Sequence, residues 1–195
     1  MNLPNKLTLM RLIFVPVIMV FILFRPAGEP WSDIVAASLF LIASLTDMLD
    51  GRLARKYDLV TDFGKFIDPL ADKFLVIGAM LSLCSAADGI YQKLLIIATI
   101  IVVFRELAVT SLRLLVSGAS GVVIAANALG KIKTTTQIVF VMAALLEPIL
   151  WGIIWKDIAG YNIITYTAMA VMSVMTLWSG VNYIMGYWKY LDPKK

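Results

Sequence analysis

Apolar residues dominate six long stretches of this chain, and polar or charged residues collect in the short segments between them. A helix needs about 17–25 mostly apolar residues to cross roughly 30 Å of hydrocarbon. The pattern predicts six transmembrane helices, near residues 7–24, 33–51, 67–87, 93–116, 131–151 and 161–186. The connections are short and contain no repeat or low-complexity tract. Residues 1–195 are therefore predicted to form a single six-helix membrane domain.

The composition supports an all-α integral membrane protein. The 195 residues are 61% hydrophobic and 15% charged, with a mean hydropathy of +0.87, whereas soluble domains are about 25% charged. The net charge of +4 suits an anionic membrane surface, and we expect no nucleic-acid partner. The chain has no histidine and a single cysteine, Cys84. Any bound metal must therefore be held by oxygen ligands, which favours Mg²⁺ or Mn²⁺ over zinc or copper.

The positions of the lysines and arginines predict the orientation of the helices. If the N-terminus is cytoplasmic, thirteen of these residues lie on the inner side and three, Arg25, Lys93 and Lys156, on the outer side, with Arg105 inside the fourth span. Positive residues are enriched in cytoplasmic loops. Both termini and the connection between spans two and three are therefore expected on the cytoplasmic side.

The densest charge of the chain lies around that connection, where residues 46–73 contain six aspartates. Asp47 and Asp50 are three residues apart at the end of span two, and Asp68 and Asp72 are four apart at the start of span three. Both spacings place two side chains on one helix face. Antiparallel packing of the two helices would bring four carboxylates together, and their repulsion predicts a positive occupant. Two divalent cations about 3.5–4 Å apart, clamping a phosphoryl group, suit such a site.

Small residues and a cation accompany these carboxylates. Gly51 would let a bulky ligand approach the backbone, Ala54 keeps the next turn slim, and Arg55 is placed to reach a phosphate. A glycine inside a helix lowers its stability by about 1 kcal/mol relative to alanine. Gly51 and Gly64 are therefore both expected to serve a structural or functional purpose. The alternative interpretation, a solvated positive loop, suits the charged residues between the two aspartate pairs better than the pairs themselves.

The segment 47–72 reads D-x2-D-G-x2-A-R-x8-G-x3-D-x3-D and resembles the signature of the CDP-alcohol phosphotransferases at every specified position. The resemblance implies the six-helix fold of that family, commonly a homodimer, and a CDP-linked lipid donor. It also implies that Asp47, Asp50, Asp68 and Asp72 bind two divalent cations, Mg²⁺ or Mn²⁺, and that Asp72 is also the catalytic base. Residues implied in the CDP pocket are Gly51, Ala54, Arg55 and Gly64.

Three further stretches, "LPNKLTLMR", "FRELAVTSLR" and "GKIKTTTQ", resemble bacterial members of the family that use glycerol 3-phosphate as the acceptor. Arg105 lies inside a span, where an unpaired guanidinium is costly, and its neighbour Glu106 is poorly placed to share its helix face. Each is therefore expected to find a partner on another helix or in a polar cavity. A cationic acceptor pocket is predicted from Arg105, Arg113, Lys131 and Lys133.

Other roles for these residues remain open at this point. Lys131 and Lys133 would also suit ordinary positive membrane anchors, and Arg105 a structural ion pair with a neighbour on its own helix. Asn5 and Thr8 precede the first span and either cap its helix or contact the nucleotide or acceptor.

The sequence thus predicts a metal-dependent enzyme of the bacterial cell membrane, with its active site facing the cytoplasm. It would transfer the phosphatidyl group from CDP-diacylglycerol to glycerol 3-phosphate, giving phosphatidylglycerophosphate and CMP. Within the same family, inositol phosphate, serine or phosphatidylglycerol are alternative acceptors. A cation transporter is the alternative from another class, but it would place acidic residues near the bilayer midplane on several helices.

Overall fold

The described part of the chain forms six α-helices. The computed structural model describes residues 3–56, 61–120, 128–154 and 162–188, with side chains throughout except at 3–4, 47–56, 62–63, 65–66, 117–120, 128 and 154. Within these ranges there is no strand. In chain order the helices are α1 Leu3–Phe24, α2 Trp31–Lys56, α3 Asp62–Ala86, α4 Gly89–Ser120, α5 Ala128–Ile154 and α6 Ile163–Tyr187.

Within the described residues the all-helical prediction with six helices is confirmed, but the first five predicted spans are shorter than their helices, whereas the sixth, 161–186, matches α6 closely. The difference matters most around the aspartates, where α2 continues to Lys56 and α3 already begins at Asp62. Hydropathy marks only the part of a helix that suits hydrocarbon, whereas a helix satisfies its own backbone groups equally well beyond it. The charged segment is therefore largely helical.

Four of the described helices are long and apolar enough to cross a membrane: α1, α4, α5 and α6. In α2 the apolar part is shorter, Trp31–Thr46. Both α2 and α3 carry the aspartate signature, and its charges lower the hydropathy of the helices that hold it. The two helices of the signature are therefore the least apolar of the bundle.

Two groups of three helices pack into one bundle. Helix α1 packs against α2 and α3, and α6 packs against α4 and α5; contacts of α3 with α4 and of α2 with α5 join the groups. Every helix contributes a buried apolar residue to the common core, which includes Ile18, Phe40, Met80, Leu95, Phe140 and Met172.

The outer surface of the bundle is apolar. Large aliphatic and aromatic side chains follow helical spacing and remain exposed, among them Ile13, Val17 and Val20 on α1, Ile97, Ile100, Phe104 and Leu107 on α4, and Val171, Val174, Trp178 and Val181 on α6. Continuous apolar surface on this scale is typical of protein that contacts a membrane. The stripes therefore identify lipid-facing sides of α1, α4 and α6.

A buried glutamate of α5 caps the N-terminus of α6. Asn162 precedes α6 in a left-handed conformation and makes no side-chain cap hydrogen bond. Instead, Glu147, only 1% exposed, accepts hydrogen bonds from the backbone N–H groups of Ile164 at 2.8 Å and Thr165 at 2.6 Å, and from the Trp151 indole at 2.8 Å. Its carboxylate satisfies free N–H groups at the positive end of the helix. It thereby joins α5 to α6.

Replacing Glu147 with glutamine is expected to destabilise the protein. The amide nitrogen would face N–H donors, and the loss of charge-assisted hydrogen bonds costs about 2 kcal/mol. This corresponds to a fall of about 4–8 °C in the thermal unfolding midpoint for a chain of this size. The matched control is Glu29→Gln, because Glu29 is exposed and its ion pair with Arg25 lies on the surface, where such pairs contribute little. Equal midpoints for the two variants in detergent would contradict this role of Glu147.

Candidate active site

The carboxylate of Asp68 is oriented by the first helix. Thr8 of α1 is 1% exposed, and its hydroxyl donates a hydrogen bond of 2.6 Å to Oδ1 of Asp68. Hydrogen bonds to an ionised acceptor are short and roughly twice as strong as neutral ones. Thr8 therefore fixes one oxygen of Asp68 and leaves Oδ2 for another partner.

A second contact between the same helices explains Gly64. The amide of Asn5 donates to the Thr61 hydroxyl at 2.9 Å, and the Gly64 N–H donates to the same hydroxyl at 3.0 Å, which caps α3. A Cβ at position 64 would lie 3.0 Å from Oδ1 of Asn5 and 3.2 Å from Oγ1 of Thr61. Glycine thus permits the close approach of α1. A role of Gly64 in the CDP pocket stays a prediction.

The suggestion that Asn5 and Thr8 cap the first helix is wrong. Helix α1 already begins at Leu3, so both residues lie inside it and turn their side chains towards α3. The predicted span starts near residue 7, whereas the helix starts at Leu3, which is why both residues were expected at the beginning of the helix. Contact of either residue with the nucleotide or acceptor stays a prediction.

Helix α1 also holds α2, through a residue to which sequence reasoning assigned no specific role. Arg11 is 1% exposed, and its Nε–H donates to the carbonyl oxygen of Ala43 at 3.2 Å. Ala43 lies one helical turn before Asp47. The signal that the sequence offered was an arginine inside a predicted apolar span. Helix α1 therefore contacts both helices of the signature near their aspartates.

The backbone of α2 and α3 places each aspartate pair on one helix face, because Asp47 and Asp50 lie within α2 and Asp68 and Asp72 within α3. The side chains of Asp47, Asp50, Ala54 and Arg55, and the surroundings of Gly51, lie outside the described part. Among the described side chains, no three histidine, cysteine or acidic groups converge.

The donor chemistry of the described aspartates suits a hard divalent cation. Asp68 and Asp72 offer carboxylate oxygens, and Thr8 orients Asp68. Oxygen ligands of this kind are those that Mg²⁺ and Mn²⁺ prefer. The residues present therefore fit the predicted metals, although the full ligand set remains a prediction.

Two of the predicted acceptor-binding cations are buried around one glutamate. Glu106 forms ion pairs with Lys133 of α5 and, at 3.2 Å, with Nη1 of Arg105. Arg105 also donates from Nη2 to the Ser179 hydroxyl of α6 at 2.6 Å. Each residue thus finds the expected partner on another helix, and the alternative of a structural ion pair between Arg105 and a neighbour on its own helix is confirmed as well. Glu106 lies within ion-pair distance of both Lys133 and Arg105. The cluster of Arg105, Glu106 and Lys133 joins α4, α5 and α6.

The other two predicted cations are more accessible. Lys131 is exposed at the start of α5, and Arg113 is exposed, with its Nε 3.5 Å from the Tyr183 hydroxyl. An anionic ligand could approach Arg113 and Lys131 without breaking a buried ion pair.

Lys73 follows Asp72 directly and joins α3 to α4, because its ammonium group donates a hydrogen bond to the Thr110 hydroxyl. Sequence reasoning assigned Lys73 no role, although a lysine beside an aspartate at a span boundary was a visible signal.

A narrow cavity connects Asp72 with the buried cluster. It has a volume of about 10 Å³, close to the space of one water molecule. Three helices line it: α3 with Asp72, Lys73, Val76 and Ile77, α4 with Val102 and Glu106, and α5 with Lys133 and Gln137. Asp72, the residue predicted to be the base, therefore lines the same cavity as two cationic residues, Lys73 and Lys133.

The sequence of this chain is similar to those of proteins named as phosphatidyltransferases. The family model described as CDP-alcohol phosphatidyltransferase matches residues 1–188. A Bacillus subtilis protein named CDP-diacylglycerol–glycerol-3-phosphate 3-phosphatidyltransferase is 40% identical, covering 97% of each chain. An Escherichia coli K12 protein of the same name is 33% identical over 94% of this chain and 93% of its own. A Mycobacterium tuberculosis H37Rv protein named probable phosphatidylglycerophosphate synthase is 35% identical, over 94% of this chain and 80% of its own.

Proposed function

Because the chain belongs to the CDP-alcohol phosphatidyltransferase family, we propose that it transfers the phosphatidyl group of CDP-diacylglycerol to glycerol 3-phosphate. The products are phosphatidylglycerophosphate and CMP. One observation carries the choice of acceptor: the chain resembles, over almost its whole length, bacterial proteins named for this reaction. Exposed cations at Arg113 and Lys131, on the two helices whose Glu106 and Lys133 line the cavity with Asp72, support an anionic acceptor.

In the proposed reaction, Asp72 accepts the proton of the primary hydroxyl of glycerol 3-phosphate. The hydroxyl oxygen forms a bond to the β-phosphorus, which carries the lipid, and the bond from that phosphorus to the oxygen of CMP breaks. CMP leaves with the electron pair of that bond, and Arg55 would bind its phosphate. Thr8 holds Asp68 in place through the reaction. Fixed groups of this kind stabilise developing charge without having to reorganise.

Asp47, Asp50, Asp68 and Asp72 would hold the divalent cations. When bound, these cations supply positive charge to the diphosphate of the donor and to the departing CMP. The donor's diphosphate would lie at the edge of the membrane, where its acyl chains remain in the bilayer beside the apolar sides of the bundle.

The proposed function is tested by CMP release from purified protein supplied with CDP-diacylglycerol. Release should require glycerol 3-phosphate and be accompanied by a phosphatidylglycerophosphate product. Release driven equally well by serine, inositol phosphate or phosphatidylglycerol would assign the protein to another reaction of the same family. Absence of release with every acceptor would contradict the enzyme class.

Neutralising the exposed cations should weaken binding of the acceptor specifically. Loss of one charge-assisted contact costs about 1.5–3 kcal/mol, so Arg113→Gln and Lys131→Gln should each raise the KM for glycerol 3-phosphate roughly ten- to hundredfold. The KM for CDP-diacylglycerol should change little. Lys93→Gln is the matched control, because Lys93 is exposed at the start of α4 and far along that helix from Arg113. An unchanged acceptor KM in both variants would remove the argument for this binding site.

The protein is a multi-pass membrane protein with bacterial relatives, and we propose that its active site faces the cytoplasm. The thirteen-to-three distribution of cations supports this orientation. In a Cys84→Ser background, cysteines at Lys56 and Lys194 should resist a membrane-impermeant thiol reagent in intact cells, whereas one at Lys93 should react. The reverse labelling pattern would overturn the orientation.

A further inference from the structure

Gln137 of α5 is a polar residue for which the proposed reaction has so far provided no role. It is 2% exposed, and its side-chain nitrogen has no hydrogen-bond partner among the residues that the structure describes. It lines the same narrow cavity as Asp72, one helical turn from Lys133. The cavity thus has a carboxylate on α3 and an unpartnered amide on α5.

An unpartnered buried amide destabilises the protein unless another group forms a hydrogen bond with it when the protein functions. Buried polar groups are hydrogen-bonded in the great majority of cases, and an unsatisfied one calls for an explanation. The neighbouring cations Lys133 and Arg105 cannot be its partner, because they are hydrogen-bond donors themselves, and the acceptor beside them, Glu106, is paired with both. The cavity has room for about one oxygen atom with its hydrogens. A hydroxyl group is therefore an occupant of the right size, and its oxygen can accept a hydrogen bond from the amide.

We propose that Gln137 is a specificity-determining residue that donates a hydrogen bond to the secondary hydroxyl of the acceptor, at C2 of glycerol 3-phosphate. This inference rests on the proposed function. The primary hydroxyl must meet Asp72 and the β-phosphorus, on the side of the cavity that α3 forms. The phosphate remains with the exposed cations Arg113 and Lys131. The C2 hydroxyl lies between these two ends of the molecule, and Gln137 faces the cavity from the opposite helix.

The interaction predicts how the enzyme distinguishes acceptors. A site that offers a buried hydrogen-bonding group rejects an analogue that lacks its partner, because the group then stays unpaired. The appropriate analogue is 3-hydroxypropyl phosphate, which retains the reacting hydroxyl and the phosphate but lacks the C2 hydroxyl. The intact protein should favour glycerol 3-phosphate over this analogue in kcat/KM.

The test is the same pair of acceptors on Gln137→Met, which keeps the shape of the side chain and removes the amide. The preference for glycerol 3-phosphate should fall at least tenfold, through a lower kcat/KM for that acceptor. The value for 3-hydroxypropyl phosphate should stay the same or rise. Gln92→Met is the matched control: Gln92 donates to the Cys84 carbonyl elsewhere in the bundle, so its replacement should leave the preference unchanged.

A stability measurement separates this role from a structural one. Replacing an unpartnered buried amide by an apolar group of similar shape is neutral or stabilising, so the thermal midpoint of Gln137→Met without substrate should not fall. Equal losses of kcat/KM on both acceptors, together with a lowered midpoint, would overturn the inference and leave the proposed function standing. An unmodified protein that uses neither acceptor but uses another alcohol would instead contradict the proposed function, and the inference with it.

Discussion

Asp72→Asn should lower kcat by about 10²–10⁴-fold, the range typical of losing a general base. The asparagine amide has nearly the shape of the carboxylate but cannot accept the proton of the acceptor hydroxyl. Since proton removal belongs to the transition state, the KM for glycerol 3-phosphate should change far less than kcat. This separates Asp72 from Arg113 and Lys131, whose replacement should act on the acceptor KM.

Asp88→Asn is the matched control for Asp72→Asn. Asp88 is an exposed aspartate between α3 and α4, at the end of α3 opposite Asp72. Its replacement should leave both kinetic constants close to those of the unmodified protein. If Asp72→Asn retained its kcat and only raised the KM of one substrate, Asp72 would be a binding residue and another group would have to be the base.

Removal of divalent cations should reduce activity to background, and Mg²⁺ or Mn²⁺ should restore it. Asp68→Asn should lower activity at least tenfold, or about 1.4 kcal/mol in the barrier, and should raise the cation concentration needed for half-maximal activity. Asp47→Asn and Asp50→Asn should also cost at least tenfold each. The physical reason is the same for all three: an amide offers one neutral oxygen where a carboxylate offers two charged ones.

Thr8→Val provides a second measure of the same site. The variant keeps the volume of the side chain but removes the hydroxyl that orients Asp68. The cation requirement should therefore rise while Asp68 itself is intact. Full activity in excess chelator would contradict a metal-dependent mechanism, and a cation requirement unchanged by both Asp68→Asn and Thr8→Val would remove Asp68 from the ligand set.

Runs of apolar residues were sufficient to predict the six helices, because each helix carries such a run, although only four of the described helices are long and apolar enough to cross a membrane. The runs could not locate the ends of α2 and α3, since hydropathy reports suitability for hydrocarbon and these helices continue beyond it. Spacing alone placed Asp68 and Asp72 on one face of α3, because the helical repeat determines which side chains are neighbours.

Contacts between distant parts of the chain could not be predicted in this way. The hydrogen bond between Thr8 and Asp68 joins residues 60 positions apart, and it depends on how α1 and α3 pack. The same holds for Glu106, which pairs with Lys133 on another helix. Gln137 appears in the sequence as the last residue of "GKIKTTTQ", but its individual significance follows from its burial and from an amide that has no partner among the described residues.

The most direct test of the proposed reaction is competition among acceptors in a single mixture. Purified protein would receive CDP-diacylglycerol, Mg²⁺ and equal concentrations of glycerol 3-phosphate, serine, inositol phosphate and phosphatidylglycerol, with Asp72→Asn as the blank. The lipid products would be identified by mass spectrometry. The proposal predicts phosphatidylglycerophosphate as the dominant product, formed in proportion to CMP and absent from the blank. A different phosphatidyl lipid as the dominant product would contradict glycerol 3-phosphate as the acceptor.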